Sequence, residues 1–541
     1  MLKIILTFAI VIIISTTLLN RLSHRLGMPV LLAFIFLGML FGKDGILGIP
    51  FDNYEMSRDL ASLALIFIMF YGGFGTNWKV ARPVAVKSTL MASLGVILTC
   101  LSVGYFCHLV LKMPLLEGML LGAVVSSTDA ASTFSILRSR NLSLKYGTDS
   151  LLEMESGSND PFAYLLTVTF ISMICGATEP SAVARLLIIQ VTAGAGIGLI
   201  LAYLASIFVN RFSFGNEGFQ SAFVTAVALL SYAVPEAVGG NGYLSCYIVG
   251  IFLGNALKIN RQSLVGAFDG ITSLLQILIF FMLGLLSSPT GIMENFATGL
   301  LITLFMGLIA RPIICFLILK PFHAPVNQIG IVSWAGLRGA ASIVFAIMSI
   351  VNLKDLSIDL FNIVFCVVIL SILIHGTSLG IAAKKLNMIN PEGDVRKTFN
   401  DYSEEGDLNF ISVKIEENTV WNNLKISQLN LPKQMLIVLM KRNNRTIIPN
   451  GDIRLRTGDS LVLSGNRFRT SKDILLKEEP ITERHRWAYK YIRDIEFPKS
   501  FLIIIIKRGN KNIVPDGDTQ VLPDDILVFN LLKKDHDRKK L

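Results

Sequence analysis

The sequence predicts an α-helical, multi-pass membrane protein of about 13 transmembrane helices, followed by a smaller soluble α/β part. Hydrophobic residues make up 52% of the 541-residue chain and charged residues only 16%, whereas a soluble domain carries about 25% charged residues. The charges are sparse as far as about Lys385 and dense from about Asn387 onward. We therefore expect a membrane domain over residues 1–385, a linker over 386–406, and a soluble tail.

Apolar runs divide the membrane domain into segments that suit transmembrane helices of about 17–25 residues. The first run contains one lysine and no small-residue cleavage site, so we expect a retained helix and not a signal peptide. The expected spans are residues 2–19, 28–43, 60–76, 88–111, 114–137, 151–175, 184–210, 219–237, 241–257, 267–287, 295–319, 326–350 and 361–383.

Basic residues alternate between the loops, and loops rich in Lys and Arg face the cytoplasm. The basic loops hold Arg21 and Arg25; Lys79, Arg82 and Lys87; Arg138, Arg140 and Lys145; Arg211; Lys258 and Arg261; and Lys320. The other loops hold only Lys43, Arg58, Lys112, Arg185 and Lys354. With an odd number of spans, this pattern predicts an N-terminus outside the cell and a C-terminal tail in the cytoplasm.

Composition also limits the partners and cofactors that we expect. The net charge of +10 is divided between cytoplasmic loops and tail, which favours anionic lipid head groups and not nucleic acid. The six cysteines lie in apolar segments without CxxC spacing or nearby histidines, so we expect small core residues and no metal site or disulfide. They are Cys100, Cys107, Cys175, Cys246, Cys315 and Cys366.

The sixth expected span carries a polar face in the middle of apolar sequence. Ser156, Asn159 and Asp160 stand at positions i, i+3 and i+4, so their side chains share one side of a helix. Pro161 cannot donate a backbone hydrogen bond, which frees the carbonyl of Gly157. A carboxylate at this depth costs at least about 3 kcal/mol, which indicates an ion or proton site. The alternative, a proline kink with polar neighbours, leaves the aspartate unexplained.

The fifth expected span contains four consecutive polar residues, Ser126, Ser127, Thr128 and Asp129. Such residues compete with a helix for backbone hydrogen bonds. Non-helical backbone in a membrane is tolerated where it lines a cavity, as in transporter sites built from broken helices. The alternative is a seam of small polar residues between packed helices, which explains the serines but not the aspartate.

The twelfth expected span carries Arg338 between two glycines. Interruptions at corresponding places in the fifth and twelfth spans predict an inverted repeat. Arg338 needs a counter-charge, for which Glu155 and Asp129 are the candidates, and we expect a structural Glu155–Arg338 ion pair. Arg311 is either an anchor at a helix end or a second buried charge.

These three motifs, at residues 126–129, 155–161 and 334–339, resemble the signature of the monovalent cation/proton antiporters, above all their bacterial NhaP-type branch. The resemblance covers roughly residues 1–385. It implies 13 helices with crossing unwound segments, a homodimer in the bacterial cytoplasmic membrane, and exchange of Na⁺ or K⁺ for H⁺ without a cofactor.

The resemblance also implies roles for individual residues. In that family the aspartate that matches Asp160 carries both the cation and the proton, so Asp160 and its neighbour Asn159 are the expected transport residues. Residues that match Thr128 and Ser156 help to bind the ion, and we place Asp129 in the same cation-binding set.

Other positions bear on structure, stoichiometry and selectivity. In the resembling family the pair that matches Glu155 and Arg338 braces the core, and Asn159 in place of a second aspartate marks one-for-one, electroneutral exchangers. Family members often have a glutamate where this chain has Tyr71. Loss of that acid lowers the negative field around the cation and favours K⁺, so Tyr71 is the selectivity candidate.

The soluble tail contains an internal repeat that predicts two modules, residues 407–470 and 471–541. The first resembles the TrkA-C module of potassium-conductance regulators, and the other resembles a degenerate copy of it. No GxGxxG motif follows a strand, so we expect no dinucleotide-binding partner domain. A regulatory nucleotide on the modules and a purely stabilising, dimer-forming role both stay open. The recurring elements are Leu431-Pro432-Lys433 and Phe497-Pro498-Lys499, Lys441-Arg442 and Lys507-Arg508, Trp421 and Trp487.

The sequence thus predicts an electroneutral K⁺/H⁺ antiporter, with Na⁺ as a second cation, that is not an enzyme and serves K⁺ and pH homeostasis. A Na⁺/H⁺ antiporter is the alternative within the same class. A cation channel with a TrkA-C gate would need a filter such as Thr-Val-Gly-Tyr-Gly, which the sequence lacks. A substrate symporter or a non-transporting sensor would not explain a titratable cation site without a pocket for an organic ligand.

Overall fold

The computed structural model describes two stretches of the chain. The first is residues 30–390 except 47, 50, 130–131, 134–135, 138–141, 178, 213–216, 257–260 and 354. The second is residues 408–532 except 418, 420, 430, 432–434, 443–444, 467–473, 484, 496–500, 509–510, 514 and 516. The expected span at residues 2–19 and most of the expected linker lie outside them. The chain divides into two compact units, Met1–Ser403 and Glu404–Leu541.

The first unit is helical in its described part. Side chains of Asn53, Ser288 and Asp359 accept hydrogen bonds from the first turns of three helices and so fix where they begin. Proline opens two helices at Pro180 and Pro289, where a missing N–H costs nothing. The main helices are α1 Val30–Phe41, α2 Tyr54–Gly75, α3 Ala85–Leu109, α4 Leu115–Ser126, α5 Thr148–Ile174, α6 Pro180–Arg211, α7 Glu217–Ala237, α8 Gly242–Ala256, α9 Arg261–Leu286, α10 Pro289–Phe322, α11 Val326–Trp334, α12 Ala340–Asn352 and α13 Leu360–Lys385.

Seven helices in the described part of the chain are long and apolar enough to cross a membrane, namely most or all of α2, α3, α6, α7, α9, α10 and α13. Four shorter apolar helices fall in α1, α4, α8 and α12. The prediction of a polytopic helical membrane unit is therefore confirmed. The count of 13 spans stays a prediction.

Two of the expected spans are interrupted by non-helical backbone. Helix α4 ends at Ser126, and the backbone of Ser127 is extended. Residues 335–339 separate α11 from α12. The interruptions contact each other, since the backbone N–H of Asp129 donates to the carbonyl of Leu337 at 2.8 Å. Thr133 Oγ1 also donates to the carbonyl of Ala335 at 3.2 Å. The inverted repeat that such a pair suggested stays a prediction.

Helix α5 lies inside this unit. It packs against α3 and α4 on one side and against α12 and α8 on others. The largest hydrophobic cluster surrounds this region, with Ala163 of α5, Phe345 of α12 and Val364 of α13 among its fully buried members. The polar face of α5 therefore meets the interrupted helices inside the protein and not the lipid.

The second unit contains two four-stranded antiparallel sheets. Their strand orders, β1-β4-β2-β3 and β5-β8-β6-β7, are equivalent, and each has a register shift at the same place, between Ile437 and Leu439 and between Ile503 and Ile505. The strands are β1 Leu408–Lys414, β2 Leu436–Arg442, β3 Arg445–Ile447, β4 Ser460–Asn466, β5 Ile474–Pro480, β6 Phe501–Arg508, β7 Lys511–Ile513 and β8 Ile526–Leu532.

The modules are mainly β and not the α/β modules that the sequence led us to expect. Among the described residues of this unit, the helical pieces are two three-residue 3₁₀ turns, Ile426–Gln428 and Ile492–Asp494. The connections at residues 415–435 and 481–500 are long enough for a helix, but their described parts form turns and these 3₁₀ pieces. The repeated Pro-Lys pairs lie outside the described residues.

The repeated Lys-Arg motif has a structural reason in both modules. Arg442 donates two hydrogen bonds to the Asp459 carboxylate, at 2.7 and 2.6 Å. Arg508 binds Asp525 in the same way, at 2.8 and 2.7 Å. Burial raises the pKa of each aspartate, but the arginine and backbone hydrogen bonds outweigh burial and hold that pKa below its usual value. Each arginine therefore binds the end of one central strand, β2 or β6, to the turn that precedes the other central strand, β4 or β8.

Candidate functional site

The polar face of α5 is fully enclosed. Asp160 is 5% exposed, Asn159 is 1% exposed and Ser156 is 7% exposed. The helix runs from Thr148 to Ile174 with Pro161 inside it. The ring of Pro161 leaves the carbonyl one turn earlier without its helical donor. The helix thus carries a carboxyl, an amide and a hydroxyl into the protein interior.

The non-helical segment after α4 is bonded directly to that face. Ser127 Oγ donates to Asp160 Oδ1, and Asn159 Nδ2 donates to Thr128 Oγ1. Thr128 Oγ1 and Ser156 Oγ lie 2.8 Å apart. The structure therefore brings Thr128, Ser156, Asn159 and Asp160 together. It adds Ser127, which the sequence placed in the polar run but did not single out.

One oxygen of this group has no hydrogen-bond donor. Asn159 Oδ1 is buried, and no described residue donates to it. Buried acceptors are nearly always satisfied, so an orphan beside a carboxylate indicates a place for a positively charged ligand. We call the five side chains of Ser127, Thr128, Ser156, Asn159 and Asp160 the oxygen cluster.

Asp129 lies next to the oxygen cluster but faces the other interruption. Ser132 Oγ donates to its carboxylate, and Thr133 Oγ1 donates to its backbone carbonyl at 3.0 Å. The carboxyl lies so close to Gly339 that a Cβ there would overlap it. These hydrogen bonds, with the one from its N–H to Leu337, join Asp129 to its own segment and to the interruption before α12.

Arg338 binds the end of the broken helix α4. Its Nη1 donates to the carbonyls of Ser126 and Ser127, both at 2.9 Å, and its side chain is buried. The last carbonyls of a helix lack intrahelical donors and carry partial negative charge. Arg338 is therefore compensated by the helix terminus. Among the described residues, no carboxylate lies within ion-pair distance of it.

The expected Glu155–Arg338 ion pair is wrong, because Glu155 binds Arg311. Arg311 Nη2 lies 2.7 Å from Glu155 Oε1, and both side chains are buried. Gly336 makes room for this arginine, since a Cβ at that position would overlap its guanidinium. Arg311 is thus the second buried charge and not a helix-end anchor. The sequence feature that indicated this buried charge is an arginine directly before a proline inside an apolar run.

The expectation for Tyr71 also changes. Its hydroxyl donates to Asp269 Oδ1 at 2.9 Å, and its ring lies in an aromatic cluster with Phe70, Phe74 and Phe268. Asp269 therefore supplies a carboxylate beside Tyr71, where the sequence suggested that the glutamate of the resembling family had been lost. Sequence analysis missed Asp269, although an isolated acid in an apolar helix was available as a signal.

The oxygen cluster has the chemistry of an alkali-cation or proton site. Carboxylate, hydroxyl and amide oxygens are hard ligands, which suit hard cations better than transition metals. Within the described residues, there is no group of three His, Cys, Asp or Glu side chains that could hold a metal ion. A single carboxylate can hold either a cation or a proton, and so lets the two compete.

The chain is similar in sequence to known families and proteins. Residues 9–385 match the family described as "Sodium/hydrogen exchanger, transmembrane". Residues 410–469 and 476–530 each match the TrkA-C domain. The K(+)/H(+) antiporter NhaP2 of Shewanella sp. (strain MR-4) is 34% identical over 457 residues, which cover 83% of this chain and 79% of that protein. The K(+)/H(+) antiporter NhaP of Alkalimonas amylolytica is 35% identical over 377 residues, which cover 69% of this chain and 65% of that protein.

A solved structure shares the fold of the membrane unit. The sodium proton antiporter MjNhaP1 from Methanocaldococcus jannaschii superposes with a TM-score of 0.62 at 23% identity. The match covers 71% of this chain and 99% of that one.

Proposed function

The chain belongs to the sodium/hydrogen exchanger family of transmembrane proteins, and from that premise we propose that it is a K⁺/H⁺ antiporter. The observation that carries this proposal is the oxygen cluster, in which the buried Asp160 lies beside an amide oxygen that accepts no hydrogen bond from any described residue. The relatives named as K⁺/H⁺ antiporters support the choice of cation. Membership of a transporter family supports ion exchange, not covalent catalysis.

The proposed mechanism is competition at Asp160. A bare carboxylate is costly in the membrane interior, so the site crosses between its two access states only when a cation or a proton neutralises it. Thr128 and Ser156 supply hydroxyl oxygens to the cation, and Asn159 supplies its amide oxygen. Asp129 adds negative charge nearby.

The remaining charges hold the site in place. Glu155 and Arg311 tie α5 to α10, and Arg338 fixes the end of α4. Tyr71 and Asp269 form a separate polar pair between α2 and α9, which we retain as the selectivity candidate.

We further propose the arrangement in the membrane that the sequence suggested. The protein has 13 spans and inverted repeats, an N-terminus outside and a tail inside a bacterial cytoplasmic membrane, and it forms a homodimer among lipids. The domains are residues 1–385, a linker at 386–406, and modules at 407–470 and 471–541. The alternation of basic loops supports the orientation.

Selectivity is the direct test of the proposed function. Asp160 is the one carboxylate of the oxygen cluster, and a weaker field favours the larger cation. We expect proteoliposomes with a pH-sensitive dye to show K⁺-driven exchange at least as fast as Na⁺-driven exchange, with Li⁺ as a third cation. Strict Na⁺ selectivity would favour the second candidate, a Na⁺/H⁺ antiporter. Absence of exchange with every cation would overturn both.

Charge stoichiometry gives a second prediction. Asn159 is neutral, so one cation replaces one proton at Asp160 and the cycle moves no net charge. We expect the Na⁺-driven exchange rate to stay the same when valinomycin imposes a membrane potential of either sign. A several-fold change in rate with potential would contradict electroneutral exchange.

The tail gives a third prediction. Every residue assigned to transport lies before residue 385, and we propose that the TrkA-C modules regulate the membrane unit without a required cofactor. We expect a chain that ends after Asn400 to insert and exchange ions, with a shifted dependence on pH or K⁺. A truncated protein that inserts but exchanges nothing under any such condition would refute regulation as the role of the tail.

A further inference from the structure

One helical turn beyond Asp160, α5 binds a carboxyl of another helix. Tyr164 follows Asp160 by four residues and therefore lies on the same side of α5. Its hydroxyl donates to Glu236 Oε1 at 3.1 Å. The backbone N–H of Gly242 donates to the same oxygen at 3.2 Å. Glu236 is the second-last residue of α7, so this carboxyl belongs to the turn between α7 and α8.

A second hydrogen bond joins the same turn to α5. Asn241 Nδ2 donates to the carbonyl of Pro161, directly after Asp160, at 2.8 Å. Asn241 itself is fixed, because its Oδ1 accepts from the N–H of Leu244 at 2.9 Å. Its own N–H donates to Gln190 of α6 at 3.0 Å. Two side-chain hydrogen bonds thus hold the helix that carries Asp160 against the α7–α8 turn.

Among the described groups around Glu236 tyrosines predominate, and Glu236 supplies the carboxylate. Tyr164 faces it from α5, and Tyr232 lies on its own helix. Tyr243 of α8 stacks edge-on with Tyr164 at 4.9 Å and lies 5.0 Å from Tyr232. The more distant Cys246 and Arg58 act on Tyr232, and Arg58 pairs with Asp59 at 2.8 Å. Tyrosine ordinarily titrates near pH 10, so the described tyrosines here are neutral donors.

We propose that Glu236 and Tyr164 form a proton-sensitive latch on the side of Asp160 opposite the cytoplasm. The ionised carboxylate accepts a charge-assisted hydrogen bond, which is roughly twice as strong as a neutral one, and so holds α5 against the α7–α8 turn. Protonation of Glu236 weakens that bond and loosens α5 on this side, where the Asn241–Pro161 hydrogen bond then remains as a hinge. In the orientation proposed above this is the outer side, so external acid opens the route by which a proton reaches Asp160.

The latch rests on the proposed function and adds control by outer pH to it. Its members are positioning residues, because they act on α5 and not on the cation. Two substitutions in the full-length protein release the latch by different chemistry. Glu236→Gln keeps the shape of a carboxyl without its charge. Tyr164→Phe removes the donor and keeps the ring that packs on Tyr243.

The test uses vesicles of uniform orientation, in which outer and inner pH are varied separately. We expect both variants to exchange several-fold faster than wild type at alkaline outer pH and to lose most of their dependence on outer pH. The dependence on inner pH and the KM for the inner cation should stay unchanged, because the oxygen cluster is intact. The matched control is Glu179→Gln, which removes an exposed carboxyl just before α6 and should behave as wild type.

The outcomes separate the latch from the proposed function. A wild-type outer-pH profile in Tyr164→Phe overturns the latch, and this variant decides the matter if Glu236→Gln does not insert. An equal effect of Glu179→Gln also overturns it, since loss of any outer carboxyl would then suffice. Absence of exchange in the wild type would overturn the proposed function and the latch with it.

Discussion

Replacing Asp160 with asparagine abolishes cation/proton exchange in proteoliposomes, while the protein still inserts and assembles. Asparagine has nearly the same shape and can still accept the hydrogen bond from Ser127, so the packing of α5 is retained. Its amide cannot release a proton near neutral pH and gives a cation no opposite charge. Both half-reactions of the exchange are therefore lost together.

The control for this experiment is an Asp-to-Asn substitution at another position of α5. Asp149 lies in the first turn of α5, where its carboxylate accepts hydrogen bonds from Ser143 at 3.1 Å and from the N–H of Leu144 at 3.0 Å. We expect Asp149→Asn to retain exchange, with rates measured by dye quenching per inserted transporter. Substantial exchange by Asp160→Asn would show that another group carries the proton.

Replacing Arg311 with methionine destabilises the membrane unit by about 3–5 kcal/mol, because it leaves the Glu155 carboxylate buried without its partner. Glu155→Gln instead removes the negative charge of the pair and leaves Arg311 buried without its partner. The double variant should recover part of the loss, since neither buried charge then remains unpaired. Thermal unfolding of the purified protein in detergent measures each step.

The matched comparison is Arg338, which is buried in the same region but bonded to helix carbonyls. A double-mutant cycle should give a large coupling between Glu155 and Arg311 and a much smaller one between Glu155 and Arg338. Equal coupling of Glu155 to both arginines would contradict the pairing seen in the structure.

The parts of the fold that sequence could predict are those that local chemistry decides. Apolar length alone predicted spans such as residues 184–210 and 361–383, which the structure has as Pro180–Arg211 and Leu360–Lys385. The break after Ser126 was predictable too, because consecutive hydroxyl side chains weaken a helix wherever they occur. Spacing likewise placed Ser156, Asn159 and Asp160 on one side of α5.

What sequence could not decide is which distant side chains meet. Two buried arginines were available for Glu155, and the choice depends on how α10 and the segment 335–339 pack against α5. The pairing of Tyr71 with Asp269 joins residues 198 positions apart, and no local pattern predicts it. The latch between Tyr164 and Glu236 was missed for the same reason, since neither residue lies in a polar run.

The two glycines beside Arg338 have a consequence for how this segment can vary. At Gly336 the space of a side chain is taken by the guanidinium of Arg311, and at Gly339 it is taken by the carboxyl of Asp129. The guanidinium of Arg311 and the carboxyl of Asp129, which carry opposite charges, therefore lie directly against the main chain of this segment. Any natural substitution at either position adds at least one carbon, and that carbon must displace the Arg311 guanidinium or the Asp129 carboxyl. Substitution of either glycine is therefore disfavoured by steric overlap alone, although neither residue has a side-chain functional group.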